Sequence, residues 1–282
     1  MNSLQMDGRR AYELSLLELP ALSRAGVEVR LVAIDLSAPL DAPEFSVLDD
    51  DERSRAARFL RREDAVRHAA TRAALREVLG ARLGQPAQAV RFIRDEAGRP
   101  RLADAVDAGR TDARRMDAPR IDARRTDAPR IDARLDFNIS HSGAFALIAL
   151  STSRRVGVDI EARRERFDWR AVAKSVFAPR EIAYLESLPE GARGDAFYDA
   201  WTAKEALVKA LGTGISLAGG IVGFEVLGGE RGVGRAPRVR LVDPSMFGDA
   251  GVAAYEALWC PAPEGYAACV AWSRDARAPT GA

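Results

Sequence analysis

The sequence predicts an α+β fold. Short strand-like runs and longer helical segments follow one another without the regular alternation of a βαβ protein. The chain has 282 residues, of which 47% are hydrophobic and 29% charged, and this is enough to bury a sizeable core. We therefore expect an ordinary globular protein with one large domain or two modest ones.

The first part of the chain contains a strand and a long helical region. Residues 1–26 are polar or weakly amphipathic, so we expect them to precede the fold as an extension. Residues 27–34 alternate and then become apolar, which is typical of a strand. Apolar residues recur at helical intervals over 50–79, in a helical region that is broken once and that Gly80 would stop.

A low-complexity segment follows, in which a five-residue unit repeats over residues 107–134. Pentapeptide solenoids need an apolar residue at the centre of each unit, and here Arg or Pro stands nearby, so a stacked solenoid cannot close. The composition predicts a disordered surface insertion. An arginine-rich binding tract is the weaker alternative, because 6 Asp accompany 8 Arg in this segment.

The second part of the chain mixes strands and helices. We predict strands at 135–139, 144–150, 156–161, 238–242 and 266–272. A helical stretch is predicted over 169–188 with a break near Pro179, followed by a strong helix over 196–211 that ends at Gly212.

Composition excludes several classes of function. Lys and Arg number 42 against 41 Asp and Glu, a net charge of +1, so no global field attracts nucleic acid. Cys260 and Cys269 lie outside any CxxC spacing and are expected to be buried thiols in a reducing compartment. The sequence shows no signal-peptide pattern and no apolar stretch of membrane-spanning length. We therefore expect a cytoplasmic enzyme that binds neither nucleic acid nor membrane.

Asp159 and Glu161 stand two residues apart in a predicted strand, within Gly157-Val-Asp-Ile-Glu161. The strand period of two puts both carboxylates on one face, while Val158 and Ile160 point into the core. Converging carboxylates suit Mg²⁺, which proteins hold through one or two carboxylates together with substrate phosphates and water. Taken alone, the pattern favours a half-buried edge strand with two solvated acids.

A second cluster, on the helix predicted over 196–211, strengthens the magnesium hypothesis. Helical spacing stacks Trp201, Glu205 and Lys209 along one face. The alternative is a surface Glu–Lys pair of small energetic value. Because the helix is otherwise apolar, however, a buried carboxylate on it would be costly without a compensating cation or donor.

The polar segment Asn138-Ile-Ser140-His141-Ser142-Gly143 joins two apolar strands. Hydroxyls, backbone amides and an imidazole in a turn make a candidate phosphate cradle. For His141 alone, a structural hydrogen bond is the preferred interpretation.

In combination, these motifs resemble the surfactin-synthetase type of phosphopantetheinyl transferase. The matching elements are Arg62-Glu-Asp64, Gly98-Arg-Pro100, Phe137-Asn-Ile-Ser-His-Ser-Gly143, Gly157-Val-Asp-Ile-Glu161, Phe177-x-x-x-Glu181 and Trp201-x-x-Lys-Glu-x-x-x-Lys209. Each motif alone is weak, but their order and spacing agree with the family over 27–272 except across the repeat insertion.

The resemblance implies a fold of two similar α/β subdomains related by pseudo-twofold symmetry, with the active site in the cleft between them. The expected division is an extension at 1–26, an N-terminal subdomain at 27–152 that carries the insertion at 107–134, a C-terminal subdomain at 153–273 and a tail at 274–282. Because one chain forms both halves of the site, a monomer suffices.

The resemblance also implies a reaction, in which the 4′-phosphopantetheine group of coenzyme A moves to a serine of an apo acyl, aryl or peptidyl carrier protein and adenosine 3′,5′-bisphosphate leaves. It makes Asp159, Glu161 and Glu205 ligands of Mg²⁺. Glu181 matches the general base; without the resemblance it would be interpreted as an acid at a helix N-terminus. Lys204 and Lys209 would neutralise the pyrophosphate as the bond breaks.

The resemblance places nine side chains on coenzyme A: Arg55, Arg62, His68, Arg99, Ser140, His141, Asp159, Lys204 and Lys209. Ser140 and His141 match contacts on the side of its 3′-phosphate, and Arg99 matches a basic residue beside its adenine. The chain departs from the family at Glu52, where members often have a lysine for the 3′-phosphate, so this corner of the site is the weak point of the match.

Carrier docking in the family uses an apolar surface after the metal-binding strand. Here Phe167, Trp169, Val172 and Phe177 occupy the corresponding stretch, and Arg163, Arg164 and Arg166 would complement an acidic carrier. The alternative, that these aromatic residues belong to the core of the following helix, is equally supported.

Two other functions remain to be tested. A Mg²⁺-dependent phosphohydrolase or nuclease would use the same acids on another phosphate, but such enzymes normally carry more metal-binding acids or histidines. A noncatalytic protein that binds coenzyme A or a carrier would have lost a catalytic residue, and every motif residue is present in this sequence.

Overall fold

The computed structural model describes residues 10–95, 98–103, 135–164, 167–212, 220–227, 232–242 and 251–275. Its helices are α1 (Pro20–Ala25), α2 (Asp50–Ala56), α3 (Arg62–Leu83), α4 (Trp169–Val176), α5 (Pro179–Ser187) and α6 (Glu190–Leu211). Its strands are β1 (Tyr12–Leu16), β2 (Glu28–Ile34), β3 (Phe92–Arg94), β4 (Pro100–Leu102), β5 (Asp136–Ser142), β6 (Phe145–Ser151), β7 (Val156–Ala162), β8 (Phe224–Leu227), β9 (Arg238–Leu241), β10 (Tyr255–Trp259) and β11 (Tyr266–Ser273). The α+β class is confirmed, and the insertion predicted at 107–134 lies outside the described residues.

The first half of the fold packs α3 against a four-stranded antiparallel sheet of order β1-β2-β6-β5. The buried face of α3 is rich in alanine, including Ala70, Ala73 and Ala74, and small side chains let the helix lie close to the sheet. Phe137 of β5 and Ile148 of β6 fill the core below it.

The second half repeats this plan. Here α6, which like α3 has 22 residues, packs against an antiparallel sheet of order β10-β11-β7. A third core joins the two sheets to each other and includes Val29 and Leu147 from the first and Val158 and Val270 from the second, all fully buried. The predicted boundary at residues 152 and 153 falls in the link between β6 and β7.

The two sheets meet where β5 runs beside β7, and side chains rather than carbonyls join them. Asp136, Asn138, Ser140 and Ser142 of β5 accept hydrogen bonds from the backbone N–H groups of Val156, Val158, Ile160 and Ala162, at 2.8, 3.0, 3.4 and 3.1 Å. We call this contact the side-chain ladder. It holds β7 against β5 in a constant register while the two sheets remain separate.

The fold begins earlier than the sequence pattern indicates. β1 pairs with β2 along its whole length, from Tyr12 opposite Ile34 to Leu16 opposite Arg30. The prediction that residues 1–26 form an extension outside the fold is therefore wrong for β1 and α1. Both elements are short and half exposed, so their hydrophobic pattern is weak.

The predicted break in the first helical region is confirmed, but its predicted end is wrong. Residues 57–61 separate α2 from α3, and α3 continues through Gly80 to end at Gly84, which has a left-handed φ of 66°. Gly80 instead allows the chain after α3 to pack closely against the helix, because a Cβ there would lie 2.8 Å from the carbonyl oxygen of Gln85.

Most other predicted elements in the described residues are confirmed. The strands β2, β6, β7, β9 and β11 lie where the alternation indicates, and Pro179 begins α5 after the predicted break. β5 continues to Ser142, so the prediction of a turn over residues 138–143 is wrong up to that residue. α6 starts earlier than predicted and ends at Gly212 as predicted. Within the described part of the chain, no helix is both long and apolar enough to cross a membrane.

Candidate active site

A glycine brings the acidic strand against the acidic helix. Gly157 of β7 faces α6, where a Cβ would lie 2.1 Å from the carbonyl oxygen of Ala206 and 2.3 Å from the amide nitrogen of Ala210. Only glycine allows this approach. Because successive side chains of a strand alternate, Asp159 and Glu161 share the face of Gly157 and point at the side of α6 that carries Glu205 and Lys209.

Each carboxylate of β7 is held by a neighbouring side chain. Asp159 Oδ1 accepts a hydrogen bond from the Ser140 hydroxyl at 2.7 Å, and Glu161 Oε2 accepts one from the Ser142 hydroxyl at 2.9 Å. Asp159 is only 2% exposed, so the interpretation as a solvated edge strand is excluded for it.

Lys209 supplies the positive charge of the site. Its Nζ lies 2.6 Å from Asp159 Oδ1 and 3.2 Å from Ser140 Oγ. Although burial alone would lower the pKa of Lys209, the carboxylates of Asp159 and Glu205 raise it, so the ammonium stays charged. One ammonium thus faces three carboxylates, Asp159, Glu161 and Glu205, which we call the carboxylate cluster.

The carboxylate cluster holds more negative charge than its surroundings neutralise. Burial, opposed by Lys209 and reinforced by Asp159 and Glu161, raises the pKa of Glu205 to about 7. Burial and Asp159 also raise the pKa of Glu161. Within the described residues, the buried atoms Asp159 Oδ2 and Glu205 Oε1 have no hydrogen-bond partner. Such buried acceptors are costly unless a cation or a donor reaches them.

The donor set fits a hard divalent cation. Carboxylate oxygens are the protein ligands that Mg²⁺ takes, and two of them here lack any other partner among the described residues. With Lys209 on Asp159, however, no three acidic, histidine or cysteine side chains of the described ranges are grouped closely enough to hold a metal ion. The ligands are present, and binding an ion requires them to close around it.

A cavity of about 630 Å³ opens between α2, α3, the β3–β4 hairpin and β5. Three of the side chains predicted to bind coenzyme A line it: Arg55, His68 and His141. Sequence reasoning missed Arg58, Arg72 and Arg94, which also line it. The one-turn spacing of His68 and Arg72 on α3 was the available signal for Arg72. We call this cavity the arginine cavity.

Glu52, the residue that departs from the family pattern, turns inward. Its Oε1 accepts from Arg72 Nε and its Oε2 from Arg76 Nε, both at 2.6 Å. Arg72 in turn lies over the Phe92 ring, 4.2 Å from its centre. Glu52 therefore anchors Arg72 beside the cavity, and its negative charge is neutralised by two guanidinium groups.

His68 is expected to make stability depend on pH. Burial and then the charges of Arg55 and Arg72 lower its pKa to about 4. As the pH falls from 6.5 to 4, the unfolded chain binds a proton at His68 and the folded chain does not, so the folded state loses stability. Relative to His68→Gln, wild type should lose on the order of 1 to 3 kcal/mol across this range. Urea unfolding of both proteins between pH 7 and pH 4 measures the difference; parallel pH curves would contradict it.

Ser140 and His141, predicted to contact the same phosphate, lie in different places. β5 extends through Ser142, so adjacent residues point to opposite sides. His141 lines the arginine cavity, whereas Ser140 bonds to Asp159 and Lys209 in the carboxylate cluster.

Known proteins match both halves of the chain. Residues 155–271 match the 4′-phosphopantetheinyl transferase superfamily, and residues 42–153 match the N-terminal part of a 4′-phosphopantetheinyl transferase. The 4′-phosphopantetheinyl transferase HetI of Nostoc sp. is 35% identical over 204 residues, which make up 70% of this chain and 74% of HetI. The chain belongs to the 4′-phosphopantetheinyl transferase superfamily.

Two further relatives of this transferase agree. The 4′-phosphopantetheinyl transferase Sfp of Bacillus subtilis is 26% identical over 193 residues, 67% of this chain and 73% of Sfp. The 4′-phosphopantetheinyl transferase AcpT of Escherichia coli is 41% identical over 76 residues, 27% of this chain and 39% of AcpT. The family predicted from the motifs is confirmed.

In this transferase, Glu181 and Lys204 form an ion pair in the interior. Lys204 Nζ donates to Glu181 Oε2 and to the carbonyl oxygen of Phe224, both at 2.6 Å. The backbone N–H groups of Ala178 and Val226 donate to the two oxygens of Glu181, each at 2.7 Å. The pair joins α5, α6 and β8, with Glu181 1% and Lys204 0% exposed.

The structure therefore does not place Glu181 and Lys204, for which catalytic roles were predicted, where a substrate would reach them. A general base must come within hydrogen-bond reach of the proton that it takes. Both oxygens of Glu181 are occupied by internal donors, and neither its carboxylate nor the Lys204 ammonium is open to a substrate. The same burial argues against Lys204 as a coenzyme A ligand.

Arg62 and Arg99, also predicted to bind coenzyme A, do not line the arginine cavity. Arg62 donates to the carbonyl oxygens of Ser37 and Ala38, both at 3.0 Å. Arg99 is buried and donates to carbonyl oxygens of Phe137 at 2.9 Å and Val156 at 2.7 Å, and to that of Lys209. Its guanidinium thus ties β5, β7 and α6 together beside the carboxylate cluster.

The apolar residues predicted to form a docking surface differ in how deeply they are buried. Trp169 and Phe177 are buried in the core of the second half, which favours the alternative that they are core residues. Phe167 and Val172 pack partly buried against the same core. Arg163 pairs with Asp195 and Asp199, and Arg166 lies outside the described residues.

Proposed function

We propose that this transferase moves the 4′-phosphopantetheine group from coenzyme A to a serine hydroxyl of an apo acyl or peptidyl carrier protein, in a magnesium-dependent reaction. The observation that supports this best is the carboxylate cluster with Lys209, next to the arginine cavity. A group with several phosphates needs both features, a site for a metal and cationic side chains for the remaining charge.

Asp159, Glu161 and Glu205 would hold the Mg²⁺. When bound, the ion would neutralise the pyrophosphate and stabilise the charge that develops as it is cleaved. Asp159 Oδ2 and Glu205 Oε1 support this assignment because these buried oxygens have no partner within the described residues.

Lys209 would bind the pyrophosphate and help neutralise it in the transition state. The serine oxygen of the carrier forms a bond to the β-phosphorus of coenzyme A, and the bond from that phosphorus to the bridging oxygen breaks. Adenosine 3′,5′-bisphosphate leaves with the bond electrons. The serine proton passes to water in the site, because Asp159, Glu161 and Glu205 would hold the Mg²⁺ and Glu181 is enclosed by internal donors.

The arginine cavity would take the 3′-phosphate end of coenzyme A. Arg55, Arg58, Arg72 and Arg94 surround it, and a guanidinium grips phosphate through two parallel hydrogen bonds. His68 Nε2 is buried there without a partner among the described residues, so it is ready to bond to a bound ligand.

One chain supplies both the carboxylate cluster and the arginine cavity, so the proposed reaction needs only a monomer. The monomeric state and the cytoplasmic location stay predictions. A phosphohydrolase is disfavoured because Lys209 already occupies an oxygen of Asp159, where a second metal ion would need a ligand.

The proposal is tested by incubating the purified protein with coenzyme A, Mg²⁺ and apo carriers from fatty acid, polyketide and peptide synthases. We expect the mass of at least one intact carrier to increase by one phosphopantetheine group, and chelation of Mg²⁺ to prevent the increase. A carrier whose serine is replaced by alanine is the control. If no carrier is modified, the proposal fails; release of phosphate from coenzyme A alone would favour a hydrolase.

A further inference from the structure

Ser140 and Ser142 each use one hydroxyl group for two purposes. The Ser142 oxygen accepts from the backbone N–H of Ala162 at 3.1 Å, and its proton is donated to Glu161 at 2.9 Å. The Ser140 oxygen accepts from Ile160 at 3.4 Å, and its proton is donated to Asp159 at 2.7 Å. Each serine therefore fixes a carboxylate relative to the backbone of its own strand.

The four side chains of the side-chain ladder, which we call its rungs, differ in their chemistry along β5. The two rungs farther from the carboxylate cluster are Asp136, whose carboxylate only accepts, and Asn138, whose amide oxygen takes the backbone N–H. The two rungs beside the cluster are hydroxyls. Only a hydroxyl accepts from an amide and donates to a carboxylate through one atom. Hydroxyl rungs occur where β7 carries Asp159 and Glu161 on the neighbouring face.

We propose that Ser140 and Ser142 are positioning residues, which orient Asp159 and Glu161 toward a divalent cation. This inference rests on the proposed function, because it assumes that the carboxylate cluster binds metal. It assigns the serines of the polar segment to the metal-binding carboxylates of the other half of the fold, whereas the resemblance placed Ser140 on a phosphate of coenzyme A. Residues that orient metal ligands typically change metal affinity about 10- to 100-fold when they are removed.

Ser142→Ala tests the inference most cleanly, because Ser140 also contacts Lys209. Binding of Mn²⁺ alone, measured by calorimetry or by electron paramagnetic resonance, should weaken about 10-fold or more in Ser142→Ala. Ser142→Thr keeps the hydroxyl and should bind close to wild type. Half-saturating Mg²⁺ for transfer should rise in Ser142→Ala, while the KM for coenzyme A at saturating Mg²⁺ should match wild type.

Ser151→Ala is the matched control. Ser151 is a buried serine at the end of β6 whose hydroxyl donates to the carbonyl oxygen of Gly26 and touches no carboxylate of the cluster. It should lose about 1 kcal/mol of stability, as Ser142→Ala should, with unchanged Mn²⁺ binding. If Ser142→Ala does not fold, Ser142→Cys keeps the size of the side chain with a weaker donor and takes its place.

Two outcomes would overturn the inference and are distinguishable. If wild type binds Mn²⁺ and Ser142→Ala binds it equally well, or if the variant instead raises the KM for coenzyme A at saturating Mg²⁺, the serines do not position metal ligands. If wild type binds no Mn²⁺ at all, the metal site of the proposed function fails and the inference fails with it.

Discussion

Glu205→Gln is expected to abolish most transfer while making the protein more stable at pH 8. Removing one charged group that acts on the transition state typically costs about 10²- to 10³-fold in rate. Because burial raises the pKa of Glu205 to about 7, the folded protein must ionise a buried carboxylate above that pH at a cost in stability. Glutamine removes that cost, so the free energy of unfolding at pH 8 should rise by on the order of 1 to 3 kcal/mol.

The sign of this stability effect follows from proton binding. Between pH 4.5 and pH 7 the folded chain holds a proton on Glu205 that the unfolded chain has lost, so wild type loses stability as the pH rises through this range. The gain from Glu205→Gln should therefore be large at pH 8 and small at pH 4.5. Urea unfolding at both pH values and the carrier-mass assay measure the two effects.

Glu225→Gln is the control for Glu205→Gln. Glu225 is equally buried in β8, where it pairs with Arg240 at 2.8 Å, and it lies outside the carboxylate cluster. Its replacement should lower stability and leave transfer by the folded protein unchanged. Full activity of Glu205→Gln would show that the carboxylate cluster is not the reaction centre.

Lys204→Met is expected to destabilise the protein by about 3 to 5 kcal/mol without removing the activity of the folded molecules. The variant leaves the Glu181 carboxylate buried without its cation, and this is the costly way to break an internal ion pair. The double variant Glu181→Gln with Lys204→Met removes both charges and should recover most of the loss. Urea unfolding gives the free energies, and transfer is measured at a temperature where each variant is folded.

Lys209→Met is the matched comparison on the same helix. Lys209 contacts the buried Asp159, so its loss should also cost stability, but unlike Lys204→Met it should remove most of the activity of the folded protein. The opposite pattern, a stable but inactive Lys204→Met, would restore the substrate role that the family motif indicated for Lys204.

The elements around the site could be predicted because their signals are local. The alternation in β7 predicts that Asp159 and Glu161 share a face, and the helical period predicts that Glu205 and Lys209 share another. β1 and α1 could not be predicted in the same way, since short, half-exposed elements show little periodicity and gain their stability from the pairing of β1 with β2.

The partners of several charged site residues could not be predicted from the sequence, for one common reason. A motif states which residue types are present, but the partner of a charged side chain is set by contacts distant in the sequence. Glu52 meets Arg76, 24 positions away, and Glu181 meets Lys204, 23 positions away. For Ser140 and His141 a local signal existed, because continuing the strand period through the polar segment sends them to opposite sides.

The sequence by itself determined the family, the α+β class and the two acidic faces, because these depend on composition, motif order and the periods of strands and helices. Only the tertiary structure decided which charges are internal and which are available. It put the Glu181–Lys204 pair in the core and left oxygens of Asp159 and Glu205 without a partner within the described residues. The physical reason is burial. Where a buried charge is matched by an opposite charge, as in the Glu181–Lys204 pair, the pair is structural. Where buried negative charge exceeds the neighbouring positive charge, as in the carboxylate cluster, the carboxylates remain able to bind a cation.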